Sequence, residues 1–158
     1  MKVYFIGAGP GDPELLTLKA HRIISNIELC LYAGSLVPVE ILSFVPKGAT
    51  VVDTANLNLK EIESYYINAK QENKDVARIH SGDVSVYGAL SEQIDILDKL
   101  NIEYEIIAGI PAYVQAAAIL NTELTIPGKV QSVILTRTSF SSTPMPEGED
   151  LVNLAKTG

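Results

Sequence analysis

Two hydrophobic rhythms alternate along the chain. Short, dense apolar runs occupy residues 2–8, 28–32, 50–53, 76–80 and 103–107, each followed by small residues. Between them lie longer segments at 15–25, 38–44, 59–72, 88–100 and 111–120, where apolar positions recur three and four apart or small residues dominate. The first kind reads as buried strands and the second as helices. In 15–25, Leu15, Leu16, Leu18, Ile23 and Ile24 form one broad apolar side; Asp12 is placed to cap this helix and Pro13 suits its first position. Pro38 suits the first turn of 38–44. The segment 59–72 carries many Glu and Lys and reads as an exposed amphipathic helix, whose Tyr65-Tyr66 marks either an interface or ordinary packing. Strands alternating with helices imply parallel strands joined by crossovers. The expected fold class is α/β, an open and mostly parallel sheet of about five strands flanked by helices, over residues 1–121.

The rhythm changes after Asn121. Residues 122–129 contain Pro127 and Gly128 and read as a linker, 130–136 reads as a strand, 138–148 is polar, and 149–156 starts a helix. One strand and one helix bury no core by themselves. Residues 122–158 are therefore expected to be a linker and the incomplete start of a second α/β domain.

Composition alters this picture little. At 158 residues, with 47% hydrophobic and 20% charged positions, the chain is long enough for one full core and part of another. No apolar run approaches the ~18 residues needed to cross a bilayer. No basic segment precedes an apolar one at the N-terminus, so no signal peptide is expected and a cytoplasmic location is. The single cysteine, Cys30, forms no internal disulfide and reads as core packing in a strand. The net charge of −7 disfavours non-specific nucleic-acid binding, which needs Lys and Arg to displace counterions.

The candidate chemistry lies in loops that follow three of the strands. Residues 7–13 read Gly-Ala-Gly-Pro-Gly-Asp-Pro. A dinucleotide fingerprint is excluded, because Asp12 stands where the third glycine belongs; a P-loop is excluded, because no Gly-Lys-Ser/Thr follows. A carboxylate there also repels a pyrophosphate. A second loop, 81–88, reads Ser-Gly-Asp-Val-Ser-Val-Tyr-Gly, and a third, 108–113, reads Ala-Gly-Ile-Pro-Ala-Tyr. All three belong at the carboxyl edge of a parallel sheet, where such folds bind ligands. None brings a lysine or arginine, so a nucleoside without phosphates fits better than a nucleotide. Asp83 suits a ribose hydroxyl or an amino group, or closes its own turn; Asp83→Asn is expected to spare a turn and weaken a ligand contact. Val86 and Tyr87 are placed to wall an adenine. His80 borders the second loop and is expected to fix it by a hydrogen bond. With His21 as the other histidine and one cysteine, no metal site is expected.

These residues carry a resemblance. The stretch VYFIGAGPGDPELLTLKA, from Val3 to Ala20, followed by Gly-Asp-x-x-x-Tyr-Gly at 82–88, resembles the tetrapyrrole methylase family. Residues 31–37 (LYAGSLV), 123–137 (ELTIPGKVQSVILTR) and 145–155 (MPEGEDLVNLA) resemble the branch that methylates carbon 11 of precorrin-4 or its cobalt-bearing counterpart in cobalamin biosynthesis. The resemblance implies a two-domain enzyme, a homodimer at full length, using S-adenosylmethionine and releasing S-adenosylhomocysteine. It implies that Pro10, Ser81, Gly82, Asp83, Val86, Tyr87, Pro111 and Ala112 contact the cofactor. Gly9, Gly11, Asp12 and Arg137 are the candidates to face the tetrapyrrole, whose carboxylates also make Lys19 and Arg22 candidates. Where the family reads Gly-Asp-Pro, this chain has Gly82-Asp83-Val84, and a valine there is expected to loosen the unbound loop by ~0.4–1 kcal/mol. Where the family reads Pro-Gly-Val-Ser-Ser, this chain has Ala108-Gly109-Ile110-Pro111-Ala112. Methyl transfer from a sulfonium to an electron-rich carbon asks chiefly for alignment and exclusion of water, so no general base is assigned. Two other readings stand beside this one: the same fold acting on ribosomal RNA or a diphthine precursor, and a non-catalytic cofactor-binding fragment that turns over poorly by itself.

Overall fold

The structure is a computed structural model that describes residues 1–34, 36–138 and 144–157. Ser35, within the LYAGSLV stretch, and residues 139–143 of the polar segment lie outside the described residues. The chain divides into two compact units, Met1–Gln115 and Ala116–Gly158.

The first unit is built on five strands: β1 (Lys2–Gly7), β2 (Leu29–Tyr32), β3 (Thr50–Asp53), β4 (Val76–His80) and β5 (Glu103–Ile107). They form one sheet in the order β3-β2-β4-β1-β5, and every pairing is parallel. The expected open parallel sheet is what the chain forms. Its helices are α1 (Leu18–Ile24), α2 (Val39–Leu42), α3 (Leu59–Glu72) and α4 (Leu90–Lys99). Strand residues alternate between two buried clusters, because successive side chains leave opposite faces of a sheet. Val3, Phe5, Leu29, Leu31 and Val76 meet Ile62, Tyr66 and Ala69 of α3 and Ile96 and Leu97 of α4. Ile6, Cys30, Ala77, Ile79 and Ile107 meet Ala20 and Ile24 of α1 and Ile41 of α2. Cys30 is thus core packing, and burial pushes its thiol up to about 12, against a smaller opposing pull from Arg78. Tyr66 is wholly buried and half-buried Tyr65 packs against the same cluster, so this pair serves the core rather than an interface.

Several boundaries differ from expectation. The helix expected over 15–25 is split into a 3-10 turn at Pro13–Leu15 and α1. Asp12 caps the turn through Glu14 N–H, and Thr17 caps α1 through Ala20 N–H. Two side-chain caps five residues apart in effect start two short helices instead of one. Helix α3 keeps its expected bounds because Asn58 and Glu61 form a capping box and Asn73, at φ 54°, ends it.

The unit boundary falls inside α5 (Ala112–Ile119). In the second unit, the strand expected over 130–136 does not form. Ile126 and Val130 exchange hydrogen bonds of 2.7 and 2.9 Å around Pro127-Gly128, and residues 131–138 adopt no regular element. Strand propensity needs a neighbouring backbone to pair with, and among the described residues none lies alongside. Near the end, α6 (Leu151–Leu154) starts the expected helix, capped by Asp150. No helix among the described residues is long and apolar enough to cross a membrane.

Candidate functional site

Strand β1 leaves the sheet toward α1 on one face, and its neighbour β4 leaves toward α4 on the other. Adjacent parallel strands whose connections depart to opposite faces open a crevice at their carboxyl ends, the favoured ligand position in such sheets. The loops at 8–13 and 81–88 start there, and the loop at 108–111 starts beside them at the end of β5.

The first two loops are stitched together by backbone. Gly9 N–H donates to the Gly82 carbonyl at 3.1 Å and Gly82 N–H to the Gly9 carbonyl at 2.7 Å, while Ala8 N–H donates to the His80 carbonyl at 2.8 Å. Gly9 and Gly82 have φ of 78° and 62°, a conformation that disfavours side-chain-bearing residues. Packing is as demanding at Gly7 and Gly109. A Cβ at Gly109 would sit 2.1 Å from the Gly82 carbonyl oxygen, and one at Gly7 would sit 2.6 Å from the same atom. The glycines that resembled a phosphate cradle are the knot that lets three strand ends converge.

Asp83 ties the knot by its side chain. Its Oδ2 accepts from Gly109 N–H at 2.8 Å; its Oδ1 accepts from Ser85 N–H at 2.9 Å and from the Ser85 hydroxyl. Burial by itself raises the Asp83 carboxyl, but the bonds from Ser85 Oγ, Gly109 N and Ser85 N outweigh it and hold the group below the ordinary carboxylate value. Three of about four acceptor positions on the carboxylate are engaged, leaving one for a ligand donor. Asp83→Asn therefore does not spare the turn: an amide NH2 must face either Gly109 N–H or Ser85. Val84 is 2% exposed and packs in the α3–α4 cluster, so the valine that was expected to loosen this loop is anchored by burial. Beyond it, Tyr87 and Ala89 have φ of 56° and 46°, strained for non-glycine residues, and Tyr87 is 63% exposed at the rim.

Pro10, Ser81, Gly82, Asp83, Val86, Tyr87, Pro111 and Ala112 thus share the carboxyl edge of the first unit, with Gly9, Gly11 and Asp12. Asp12 caps its turn, and Gly11 faces the Pro38 ring. Of the cationic candidates, the two that belong to the first unit are not gathered there. Lys19 is paired with Glu105, which also binds Lys2 at 2.8 Å; Arg22 is exposed on α1; and Arg137 belongs to the second unit. Among the described residues no three His, Cys, Asp or Glu converge as a metal set.

The residue that sequence reasoning missed is Arg78. It is 6% exposed in the middle of β4. Arg78 Nε donates to Gln93 Oε1 at 3.0 Å and Nη1 to Thr54 Oγ1 at 2.8 Å; Tyr66 donates to the same Gln93 oxygen at 3.0 Å. Gln93 Nε2 reaches the Ala89 carbonyl at 3.2 Å, and the Thr54 hydroxyl donates to the Tyr32 carbonyl at 2.9 Å. The signal was present, a lone charge within an otherwise apolar central strand, VARIH. His80 lies two residues on, on the same face. Burial, then the nearby Arg78 cation, lowers its pKa to about 4, and its Nε2 is buried without a partner. Among the described residues His80 makes no side-chain hydrogen bond, so the expected bond to the loop is not formed; backbone bonds hold the loop instead.

A family model described as Tetrapyrrole (Corrin/Porphyrin) Methylases matches residues 2–157. The chain belongs to the tetrapyrrole methylase family. It is 52% identical over 158 residues to the precorrin-4 C(11)-methyltransferase of Rhodococcus erythropolis, covering 100% of this chain and 64% of that protein. It is 47% identical to the cobalt-precorrin-4 C(11)-methyltransferase of Methanocaldococcus jannaschii, covering 98% of this chain and 60% of the relative. The crystal structure of a cobalt-precorrin-4 methyltransferase superposes with a TM-score of 0.94 at 42% identity, over 99% of this chain and 65% of that one. A uroporphyrin-III C-methyltransferase from Thermus thermophilus, solved in complex with S-adenosylhomocysteine, gives 0.67 at 30% identity over 81% of this chain and 51% of that one. The tetrapyrrole methylase chain described here thus spans about 60–65% of the length of these precorrin-4 and cobalt-precorrin-4 methyltransferases.

Proposed function

We propose that this chain carries the N-terminal part of an S-adenosylmethionine-dependent methyltransferase acting on carbon 11 of precorrin-4 or cobalt-precorrin-4. The observation that carries the reading is the 52% identity maintained across all 158 residues with a carbon-11 methyltransferase. The crevice fits the cofactor. Its three loops bring no lysine or arginine, one acceptor position remains on Asp83, and half-buried Pro10 and Val86 with exposed Tyr87 supply apolar rim. A nucleoside without phosphates asks for that set.

When bound, S-adenosylmethionine supplies an electrophilic methyl on sulfur and leaves as a neutral thioether. Ser81, Gly82 and Asp83 hold the polar end of this ligand, with Pro111 and Ala112 opposite; Val86 and Tyr87 wall its base. Gly9, Gly11 and Asp12, on the neighbouring loop, face the tetrapyrrole, and Arg137 is proposed to meet one of its carboxylates. The glycine knot keeps these groups in fixed register, which is what alignment of carbon, methyl and sulfur requires. A domain boundary at residue 121, a homodimer and a cytoplasmic compartment belong to the same proposal; the first rests on the change of pattern after Asn121, the second on the resemblance and the third on the single cysteine.

Two measurements test it. Calorimetric titration with S-adenosylhomocysteine reads cofactor binding, and transfer of labelled methyl to precorrin-4 or cobalt-precorrin-4 reads the activity, with a full-length relative as positive control. Binding is expected; no heat at ligand concentrations that saturate the relative refutes the cofactor site.

A further inference from the structure

Arg78 is a buried cation whose hydrogen-bonded partners are neutral. Gln93 and Thr54 accept its hydrogen bonds, and no carboxylate among the described residues lies within ion-pairing distance of it. A buried charge without a counter-ion opposes folding unless dipoles compensate it, so well-packed apolar residues would serve stability as well or better. What distinguishes the charge is its position. Arg78 precedes Ser81 by three residues on the strand that feeds the crevice, ~10 Å at strand rise. Its side chain lies on the same sheet face as His80, where its positive field already disfavours a second positive charge.

We propose that Arg78 shifts the crevice's charge discrimination toward the neutral thioether S-adenosylhomocysteine and away from the sulfonium S-adenosylmethionine, against the pull of the loop carboxylates. The proposal rests on the cofactor reading above. The two ligands share the same adenosyl and amino-acid groups and differ in one methyl and one positive charge at sulfur. Every contact with the shared groups cancels in the ratio of their dissociation constants, while a fixed cation does not. Asp12 and Asp83 are the charged groups in the three loops and their carboxylates favour the sulfonium; Arg78 opposes them from β4. Because all three are held in place by hydrogen bonds within the protein, none relaxes away when the ligand changes. Taking the ~10 Å of strand between Arg78 and Ser81 as the scale of separation, a unit charge at an effective dielectric constant of ~20, partly screened by salt, changes such a ratio by about three- to tenfold.

The experiment is calorimetric titration of the chain at low salt with S-adenosylhomocysteine and with S-adenosylmethionine, repeated for Arg78→Lys, Arg78→Met and Gln93→Glu. Arg78→Met removes the charge. Gln93→Glu keeps Arg78 and neutralises it in place at equal side-chain volume, so it answers the question if the methionine variant does not fold. The expected result is an affinity for the thioether relative to the sulfonium that falls about three- to tenfold in Arg78→Met and in Gln93→Glu, and stays within about twofold of the parent in Arg78→Lys. An unchanged ratio in the charge-removing or charge-neutralising variant overturns the proposal, as does an equal fall in Arg78→Lys, because a structural role predicts both affinities moving together. If the parent chain binds neither ligand, the cofactor reading fails and this proposal fails with it. Binding of both with a charge-independent ratio leaves that reading intact and removes this one.

Discussion

Gly109→Ala is the sharpest perturbation of the loop knot. The added Cβ would meet the Gly82 carbonyl oxygen at 2.1 Å and the Gly7 backbone carbons at 2.7 Å. All three are main-chain atoms of a central strand or of the bridge beside it, so no side-chain rotation relieves the overlap. Overpacking of this kind costs about 1–3 kcal/mol. Moving the Gly82 carbonyl also strains its 3.1 Å bond from Gly9 N–H and the 2.8 Å bond from Gly109 N–H to Asp83, at about 1 kcal/mol each. Alanine returns ~0.4–1 kcal/mol through the unfolded chain. The expected net loss is about 3 kcal/mol, a fall in melting temperature of about 6–12 °C for a chain of this size. Gly48→Ala is the internal control: nothing lies within 4 Å of its Cβ and its φ is not positive, so the same substitution is expected to be neutral or slightly stabilising. Urea unfolding followed by circular dichroism, with titration of S-adenosylhomocysteine alongside, reads both effects. If the two variants have midpoints that coincide within error, the knot does not depend on the absent side chain and the reasoning is refuted.

Three further expectations follow from particular contacts. Asp83→Asn should lose about 1–3 kcal/mol of stability by turning a donor toward Gly109 N–H or Ser85, as well as weakening S-adenosylhomocysteine binding; a melting temperature equal to the parent's would show that the staple carries no weight. His80 binds its proton near 6.5 when unfolded but near 4 when folded, so unfolding takes up a proton between those values. Its contribution, of order 3 kcal/mol, is present above pH 6.5 and lost as pH falls toward 4, and His80→Gln should flatten the stability profile in that window; identical profiles from pH 7 to 4 would contradict it. Asn58→Ala removes the capping box of α3 and should cost about 1 kcal/mol in denaturant unfolding, with no effect on the ratio of ligand affinities.

The strands of the first unit were legible because the central ones are buried on both faces. Dense apolar runs such as Val76–His80 have few other ways to be satisfied, and small residues mark where each run leaves the sheet. The crevice loops were legible for the same reason, since parallel topology sends every strand end to one edge. Boundaries set by competing local bonds were less so: Asp12 and Thr17 are both good caps, and only the folded chain shows that both act. Residues 130–136 have strand composition, yet a strand exists only where another backbone pairs with it, and that is a tertiary fact. The partner of Asp83 is Gly109, 26 residues away, and the atoms that forbid a side chain at Gly109 belong to Gly82 and Gly7. Arg78 is the same case in electrostatics. Its charge is written in the sequence, but its burial against Gln93, Tyr66 and Thr54 is decided by how two helices and a strand end close over one face of the sheet. Local pattern determines which backbone each segment prefers; which charges, carbonyls and Cβ positions meet is set by contacts between segments that no periodicity along the chain encodes.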